Sequence, residues 1–194
     1  MDDFEKIRNS LLQFINFPDE VWEEFKSHLV FQKFKKEETI CNEGDVENFI
    51  YYLSKGVARS FFLKDGRDYT LDFFFDHDFV TSFTSFLTRK PSLVNIQALE
   101  DCETWKISHQ YIYEQYRKYH SSERLGRLIA EAQFMKRSSK EMELLSLTAE
   151  ERYKNLFKKN PALVGKISVK HLSSYLGIHP ESLSRIRNKV TSGN

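Results

Sequence analysis

Cysteine is scarce in this chain of 194 residues, which contains only Cys41 and Cys102. Two cysteines so far apart exclude a zinc framework, a disulfide-rich scaffold and, within one chain, an iron–sulfur cluster held by four thiolates. The six histidines are scattered, and only His77 lies among the predicted strands. Its neighbours in Asp76-His77-Asp78 indicate a turn more simply than a metal site. We therefore expect no metal and no other cofactor.

Long apolar runs are also missing, since no stretch approaches the roughly 18 consecutive apolar residues of a membrane-spanning helix. The first residues, Met-Asp-Asp-Phe-Glu-Lys, are charged and predict no secretory signal. The chain has no glycine-rich phosphate loop, no Gly-x-Ser-x-Gly elbow and no paired His/Cys nucleophile. These absences predict a soluble, cytoplasmic protein that is not an enzyme and has no membrane partner.

Apolar residues nevertheless make up 40% of the chain and aromatic residues 14%, which is enough for a packed core in one large domain or two small ones. The net charge of +1 hides an asymmetry: nine basic and three acidic residues lie between Leu147 and Asn194. The remainder of the chain is acidic. A basic tail on an acidic body suggests a polyanionic partner for the tail.

Residues 31–107 have the pattern of a β-rich domain that follows two short helices. Runs rich in Phe, Tyr, Val and Ile alternate with turn signals. Asp65-Gly66, between two such runs, predicts a type I′ hairpin. Many short strands at this spacing predict a sandwich or a roll. The phenylalanines between residues 73 and 86 are most simply core, and the alternative is an apolar effector pocket beside them.

Between residues 121 and 146 apolar side chains recur at a 3-4 spacing typical of a long helix. The positions are Leu125, Leu128, Ala132, Met135 and Met142, with Ser139 completing the heptad frame. One interpretation is a helix packed on its own domain. The other is the seam of a homodimer, and the length of about 25 residues, roughly 37 Å, favours it.

The segment 167–190 predicts two helices joined by a tight turn. Ser168 is placed to cap the first helix, Gly177 to end it with a positive φ, and Pro180 to begin the second. The predicted buried positions are Leu172, Tyr175, Leu176, Leu183, Ile186 and Val190. Upstream, Thr148 and Glu151 form a capping box. The arrangement is that of a helix-turn-helix, and an ordinary helical hairpin is the alternative.

The outer face of the second helix carries polar and basic side chains that suit the major groove of DNA. Arg185 can donate two hydrogen bonds to guanine, and Glu181, one turn earlier, can accept from cytosine N4 or orient Arg185. The residues predicted to read bases are Glu181, Ser182, Ser184 and Arg185. Those predicted to contact phosphates are Lys170, His179, Arg187 and Lys189.

From about residue 31 to residue 190 the chain resembles the Crp/Fnr family of bacterial transcription regulators. The resemblance rests on Glu43-Gly44-Asp45, on Ser54-Lys55-Gly56-Val57, on the long helix, and on Glu181, Ser184 and Arg185, which match the Glu-x-x-Ser-Arg signature of Fnr-type members. It implies an α+β fold: a cyclic-nucleotide-binding-like β-roll (jelly roll), a dimerisation helix and a winged helix-turn-helix. It also implies a homodimer on pseudo-palindromic double-stranded DNA, with RNA polymerase as a further partner of an activator.

The corresponding domains are an effector domain at 1–120, the dimerisation helix at 121–146 and a DNA-binding domain at 147–194. Four residues follow Val190, so we expect the wing to be missing or very short. The competing hypothesis for the whole chain is a sensory or interaction module, built on the same roll, that does not bind DNA.

The effector domain departs from the family pattern. Members that bind cyclic nucleotides hold the ribose and phosphate with a Gly-Glu pair and an Arg-Ser or Arg-Thr pair, but alignment places Thr81-Ser82 and Ser92-Leu93 there. A buried phosphate without its charged partner is costly. Although Arg89 could substitute, we expect no binding of cyclic AMP. The candidate pocket, for an unknown small molecule or for none, comprises Thr81, Ser82, Thr84, Ser85, Arg89 and Ser92.

Overall fold

The structure is a computed structural model that describes residues 2–159 and 161–191. The chain divides into two compact units, of which the first comprises residues 1–60 and 73–132 and the second residues 61–72 and 133–194. The helices are α1 (Asp3–Leu12), α2 (Asp19–Ser27), α3 (Phe83–Thr88), α4 (His109–Lys118), α5 (His120–Ser146), α6 (Ala149–Lys159), α7 (Pro161–Lys166), α8 (Val169–Leu176) and α9 (Pro180–Thr191). The strands are β1 (Val30–Phe34), β2 (Thr39–Cys41), β3 (Phe49–Lys55), β4 (Ala58–Lys64), β5 (Arg67–Phe74), β6 (Phe79–Val80), β7 (Asn95–Ala98) and β8 (Cys102–Ser108).

The strands form two four-stranded sheets, in the orders β1-β8-β3-β6 and β2-β7-β4-β5. The predicted roll is therefore confirmed. The side chains of Leu53, Val80, Ile96 and Ala98 have no exposed surface and pack together between the sheets. Burying an aliphatic side chain of this kind stabilises the fold by roughly 1.5–3 kcal/mol. This core holds the loops and the short helix α3, which carry the candidate effector residues.

Two turns of the roll lie where the sequence predicts turns. Asp65 and Gly66 have φ angles of 51° and 73°, as a type I′ hairpin between β4 and β5 requires. The segment Asp76-His77-Asp78 is a turn as well, with Asp76 Oδ1 accepting a hydrogen bond of 2.7 Å from the Gly56 amide. In the part of the chain that the structure describes, no group of three or more His, Cys, Asp or Glu side chains could hold a metal ion.

The two amino-terminal helices pack against the roll through a cluster of their own. Ile7, Leu11 and Trp22 are buried together with Tyr52 of β3, and Leu125 and Ile129 of α5 pack against them. The beginning of the long helix is thus fixed within its own chain. The helix itself runs over 27 residues from His120 to Ser146, close to the predicted 121–146, and none of its residues is buried.

The carboxy-terminal helices begin with the predicted capping box. The Thr148 amide donates to Glu151 Oε2 at 2.8 Å, and the Glu151 amide donates to Thr148 Oγ1 at 3.3 Å. Helix α6 spans Ala149–Lys159, and the short helix α7 has no counterpart in the sequence analysis. No helix within residues 2–159 and 161–191 has the length and apolar character needed to cross a membrane.

Candidate nucleic-acid interface and effector site

Helices α8 and α9 and the turn between them have the predicted geometry. Ser168 Oγ accepts the His171 amide at 3.2 Å at the start of α8, and Gly177 ends that helix with φ 68°. Leu172, Leu176 and Leu183 are fully or almost fully buried beneath the two helices. The buried face therefore sets which side of α9 is exposed.

The exposed side of α9 carries the predicted base readers. The Glu181 and Arg185 side chains are 88% and 81% exposed, and the guanidinium lies 4.0 Å from the carboxylate. Ser184 is exposed too, with its hydroxyl donating to the Pro180 carbonyl at 3.1 Å. Ser182 is half-buried. The structure thus brings three of the four residues to one accessible surface of α9.

The four predicted phosphate contacts differ in their surroundings. Lys170 and His179 are exposed. Lys189 is exposed as well, but its Nζ lies 2.8 Å from Glu150 Oε2. Hydrogen bonds from Lys154 and Lys189 lower the pKa of Glu150 to about 2, so this carboxylate stays charged and offsets part of the Lys189 charge. Arg187 is half-buried, and its Nε is enclosed.

Within the second unit, the end of the β4–β5 hairpin is attached to α8. Ser174 Oγ donates to the Asp68 carbonyl at 2.9 Å and accepts the Thr70 amide at 2.9 Å, so this serine continues the edge of the hairpin. The sequence analysis did not anticipate this contact. It fixes α8 on the hairpin.

Helix α5 joins the same contact through two lysines. Lys136 forms an ion pair of 3.0 Å with Asp72, while the Lys140 ammonium donates to the Leu71 carbonyl and lies 3.9 Å from the centre of the Tyr175 ring. Burial lowers the pKa of Lys140 to about 8. A half-buried lysine therefore lies where α5, α8 and the hairpin meet.

The pKa of Lys140 leads to a prediction about stability and pH. The folded protein releases the proton near pH 8, whereas the unfolded chain holds it up to the ordinary pKa of 10.5, so the free energy of unfolding rises with pH between these values. Below pH 8, holding the Lys140 ammonium in the fold therefore lowers the free energy of unfolding. We expect Lys140→Met, which lacks this cost, to be more stable than wild type at pH 7.5 by about 2–3 kcal/mol. Urea unfolding at pH 7.5, 8.5 and 9.5 measures the free energy of unfolding of both proteins. The difference between variant and wild type in this free energy should become smaller as pH rises. A constant difference would contradict the prediction.

The residues predicted for the dimer seam lie along one side of α5, but they are not equally accessible. Met135 and Met142 are 61% and 60% exposed, and Ala132 is exposed too. Leu128 is half-buried, and Leu125 packs against the amino-terminal helices of its own chain. Phe134 and Leu145, which the sequence analysis did not select, are exposed on an adjacent strip of the helix.

The candidate effector residues divide into a buried cluster and a surface group. Ser82 Oγ lies 2.7 Å from Ser92 Oγ, and Ser85 Oγ accepts the Glu47 amide at 3.0 Å. All three serines are buried. Half-buried Thr81 donates from Oγ1 to the Phe49 carbonyl at 2.9 Å.

The other two members lie at the surface. Thr84 is exposed on α3 and does not belong to the buried cluster. Arg89, also exposed, donates to the Glu47 main-chain oxygen at 2.6 Å and to Asn48 Oδ1. The six predicted residues therefore do not form a single pocket. The Arg89 guanidinium donates its hydrogen bonds to main-chain and side-chain oxygens of the protein itself.

Glu47 lies at the centre of the buried cluster and was not predicted. Only 4% of this residue is exposed, and its carboxylate accepts the Phe49 amide at 3.0 Å and the Ser82 amide at 3.5 Å. Burial raises the pKa of Glu47. Burial, followed by the nearby Glu47 charge, raises the pKa of the adjacent Cys41 thiol to about 12. Nothing in the local sequence distinguishes Glu47 from the exposed acids around it.

Comparison with known proteins shows what the roll is similar to. Residues 31–119 match the family model of the cyclic nucleotide-binding domain. This part of the chain is therefore similar to cyclic nucleotide-binding domains. No curated protein matches the chain significantly. The resemblance to Crp/Fnr regulators is confirmed for the fold by the solved structures described next.

Three solved structures illustrate the likeness. FixK2 from Bradyrhizobium japonicum has a TM-score of 0.72 at 19% identity over 85% of each chain. A transcriptional regulator assigned to the Crp/Fnr family from Eubacterium rectale has a TM-score of 0.70 at 20% identity, over 91% of this chain and 85% of that one. CLP from Xanthomonas campestris, a c-di-GMP-responsive global regulator, has a TM-score of 0.65 at 19% identity, over 91% of this chain and 93% of its own. The chain thus shares its fold with these regulators: a β-roll, a long helix and carboxy-terminal helices.

Proposed function

We propose that this protein is a sequence-specific DNA-binding transcription regulator of Crp/Fnr type that acts as a homodimer. The observation that carries the proposal is the exposed pair Glu181 and Arg185 on α9, at the positions of the Glu-x-x-Ser-Arg signature. A long arginine and a carboxylate one turn apart can contact adjacent bases, and a good bidentate contact discriminates against the wrong base by about 1–3 kcal/mol. The basic residues around α9 supply contacts that do not depend on sequence.

The remaining parts of the chain have roles in this proposal. The cyclic nucleotide-binding domain receives the input, α5 pairs two copies through the strip that includes Met135 and Met142, and residues 147–194 bind a pseudo-palindromic site. A dimer of this kind places its recognition helices about one turn of DNA apart. We propose RNA polymerase as a further partner if the regulator activates transcription. We propose no catalytic activity and no binding of cyclic AMP.

Binding-site selection from a random duplex library tests the function. We expect wild-type protein at moderate salt to enrich a pair of two-fold related half-sites, and Arg185→Ala to enrich none. The affinity for the selected site should fall steeply as salt rises, because phosphate contacts release counterions. If neither the purified protein nor the protein supplemented with cell extract enriches a sequence, the module that does not bind DNA becomes the better hypothesis.

A further inference from the structure

The two positions that hold ribose and phosphate in nucleotide-binding relatives come together in this structure as a pair of neutral side chains. Ser82 and Ser92 are 5% and 2% exposed, and their hydroxyl oxygens are 2.7 Å apart. Ser92 Oγ also donates to the Val94 carbonyl at 2.7 Å. These hydroxyl groups bond to the protein itself, and neither carries a charge that could bind a phosphate.

An acidic side chain from another part of the roll reaches this place. The Glu47 carboxylate accepts the main-chain amides of Phe49 and Ser82, and Cys41 packs beside it. The Glu47 amide in turn donates to Ser85 Oγ. Hydrogen bonds therefore hold both the main chain and the side chain of this residue. Among the residues that the structure describes, Glu47 and Arg59 are the only charged ones in the buried set. Arg59 bonds to Gln97, in a separate contact.

Amide donors converging on buried oxygen atoms form the kind of site that binds an anion, whether the oxygens belong to a carboxylate or to a phosphate. Here the donors already bind a carboxylate of the same chain. A nucleotide phosphate would have to displace Glu47 or fit beside a buried carboxyl group that already occupies the amide donors, and both are unfavourable. Arg89 does not compensate, because its guanidinium donates to the Glu47 main-chain oxygen and to Asn48.

We propose that the Glu47 carboxylate occupies the anion site of this cyclic nucleotide-binding domain, and that Glu47 is the residue that excludes nucleotide phosphates from it. The inference deepens the proposed function, on which it rests for the role of the domain as an input. It states which class of effector the domain rejects: small molecules that bind through a phosphate.

Chemical rescue tests whether the site binds a carboxylate. Glu47→Ala leaves the amide donors of Phe49 and Ser82 facing a cavity that formate can fill. We expect sodium formate at tens of millimolar to raise the melting temperature of this variant by about 3 °C or more relative to sodium chloride at equal ionic strength. Wild type and Glu43→Ala, which removes an exposed carboxylate instead, should show no such difference. An equal response of all three proteins would overturn the proposal.

If Glu47→Ala does not fold, refolding from urea in formate and in chloride becomes the readout. Recovery of soluble, cooperatively unfolding protein in formate alone supports the proposal, and equal failure in both salts overturns it.

Wild-type protein provides the second arm. Isothermal titration with cyclic AMP, cyclic GMP and c-di-GMP should detect no binding up to about 1 mM, and saturable binding of any of them within that range would overturn the proposal. Because no DNA is present in either arm, failure here is distinguishable from a failure of the DNA-binding function.

Discussion

Arg185→Ala is expected to weaken binding to the selected DNA site by at least about 30-fold while leaving the fold intact. Each copy of a dimer would lose a bidentate base contact worth roughly 1–3 kcal/mol, and the two losses combine on a two-fold site. Stability should change little, because the Arg185 side chain is 81% exposed and forms a 4.0 Å contact with Glu181 on the same exposed face of its own helix. Exposed pairs of this type contribute about 0.3–0.5 kcal/mol.

The measurement is fluorescence anisotropy with the selected duplex and a scrambled duplex at one fixed salt concentration. Arg117→Ala is the matched control, since it removes the same charge from an exposed position of α4 in the other compact unit. Arg185→Ala should reduce the ratio of specific to non-specific affinity, and Arg117→Ala should leave that ratio unchanged. If both variants weaken both duplexes alike, Arg185 acts as a general positive charge and does not read a base.

The turn between α8 and α9 and the bounds of these helices could be predicted because their determinants are local. The cap at Ser168, the left-handed Gly177 and the start of α9 at Pro180 each follow from rules that connect residues within one or two helical turns. The buried Leu172, Leu176 and Leu183 follow from the same periodicity. The Asp65-Gly66 hairpin is predictable for the same reason.

Contacts between distant parts of the chain could not be predicted from such rules. Ser174 contacts Asp68 and Thr70 across 106 and 104 positions, and an exposed-looking serine on a helix carries no signal that it will complete the edge of a hairpin. Glu47 is a similar case. It lies among acidic surface residues in the sequence, and only the folded roll brings it to Ser82, 35 positions further on.

The candidate effector residues could be predicted only in part. The family resemblance correctly brings Ser82 and Ser92 together across ten positions. It says nothing about the orientation of α3, which leaves Ser85 buried and Thr84 exposed. Nor does it show that Arg89 ends α3 with φ 58° and directs its guanidinium to Asn48. The resemblance therefore placed part of the candidate set together, while the packing of one short helix decided which of the other candidate side chains are buried beside it.

Met135→Glu is expected to turn the proposed dimer into a monomer at micromolar concentration. Met135 is 61% exposed in the single chain and lies on the strip of α5 that also carries exposed Ala132 and Met142. In a two-fold dimer interface, each copy would bury the new glutamate close to the same glutamate of the other copy. An unpaired buried charge costs several kcal/mol, and like charges repel each other as well. Because no residue of α5 is buried within its own chain, folding of the single chain should not suffer.

Sedimentation velocity over a range of concentrations measures the effect, and Arg137→Gln is the control. It changes the net charge by the same amount, and it lies about 200° around the helix from Met135 at roughly 100° per residue. The control should remain dimeric. Binding to the two-fold DNA site should weaken in Met135→Glu, while contacts to a single half-site persist. A variant that stays dimeric would instead place the seam on the adjacent strip of Phe134 and Leu145, where the second apolar surface of the helix is exposed.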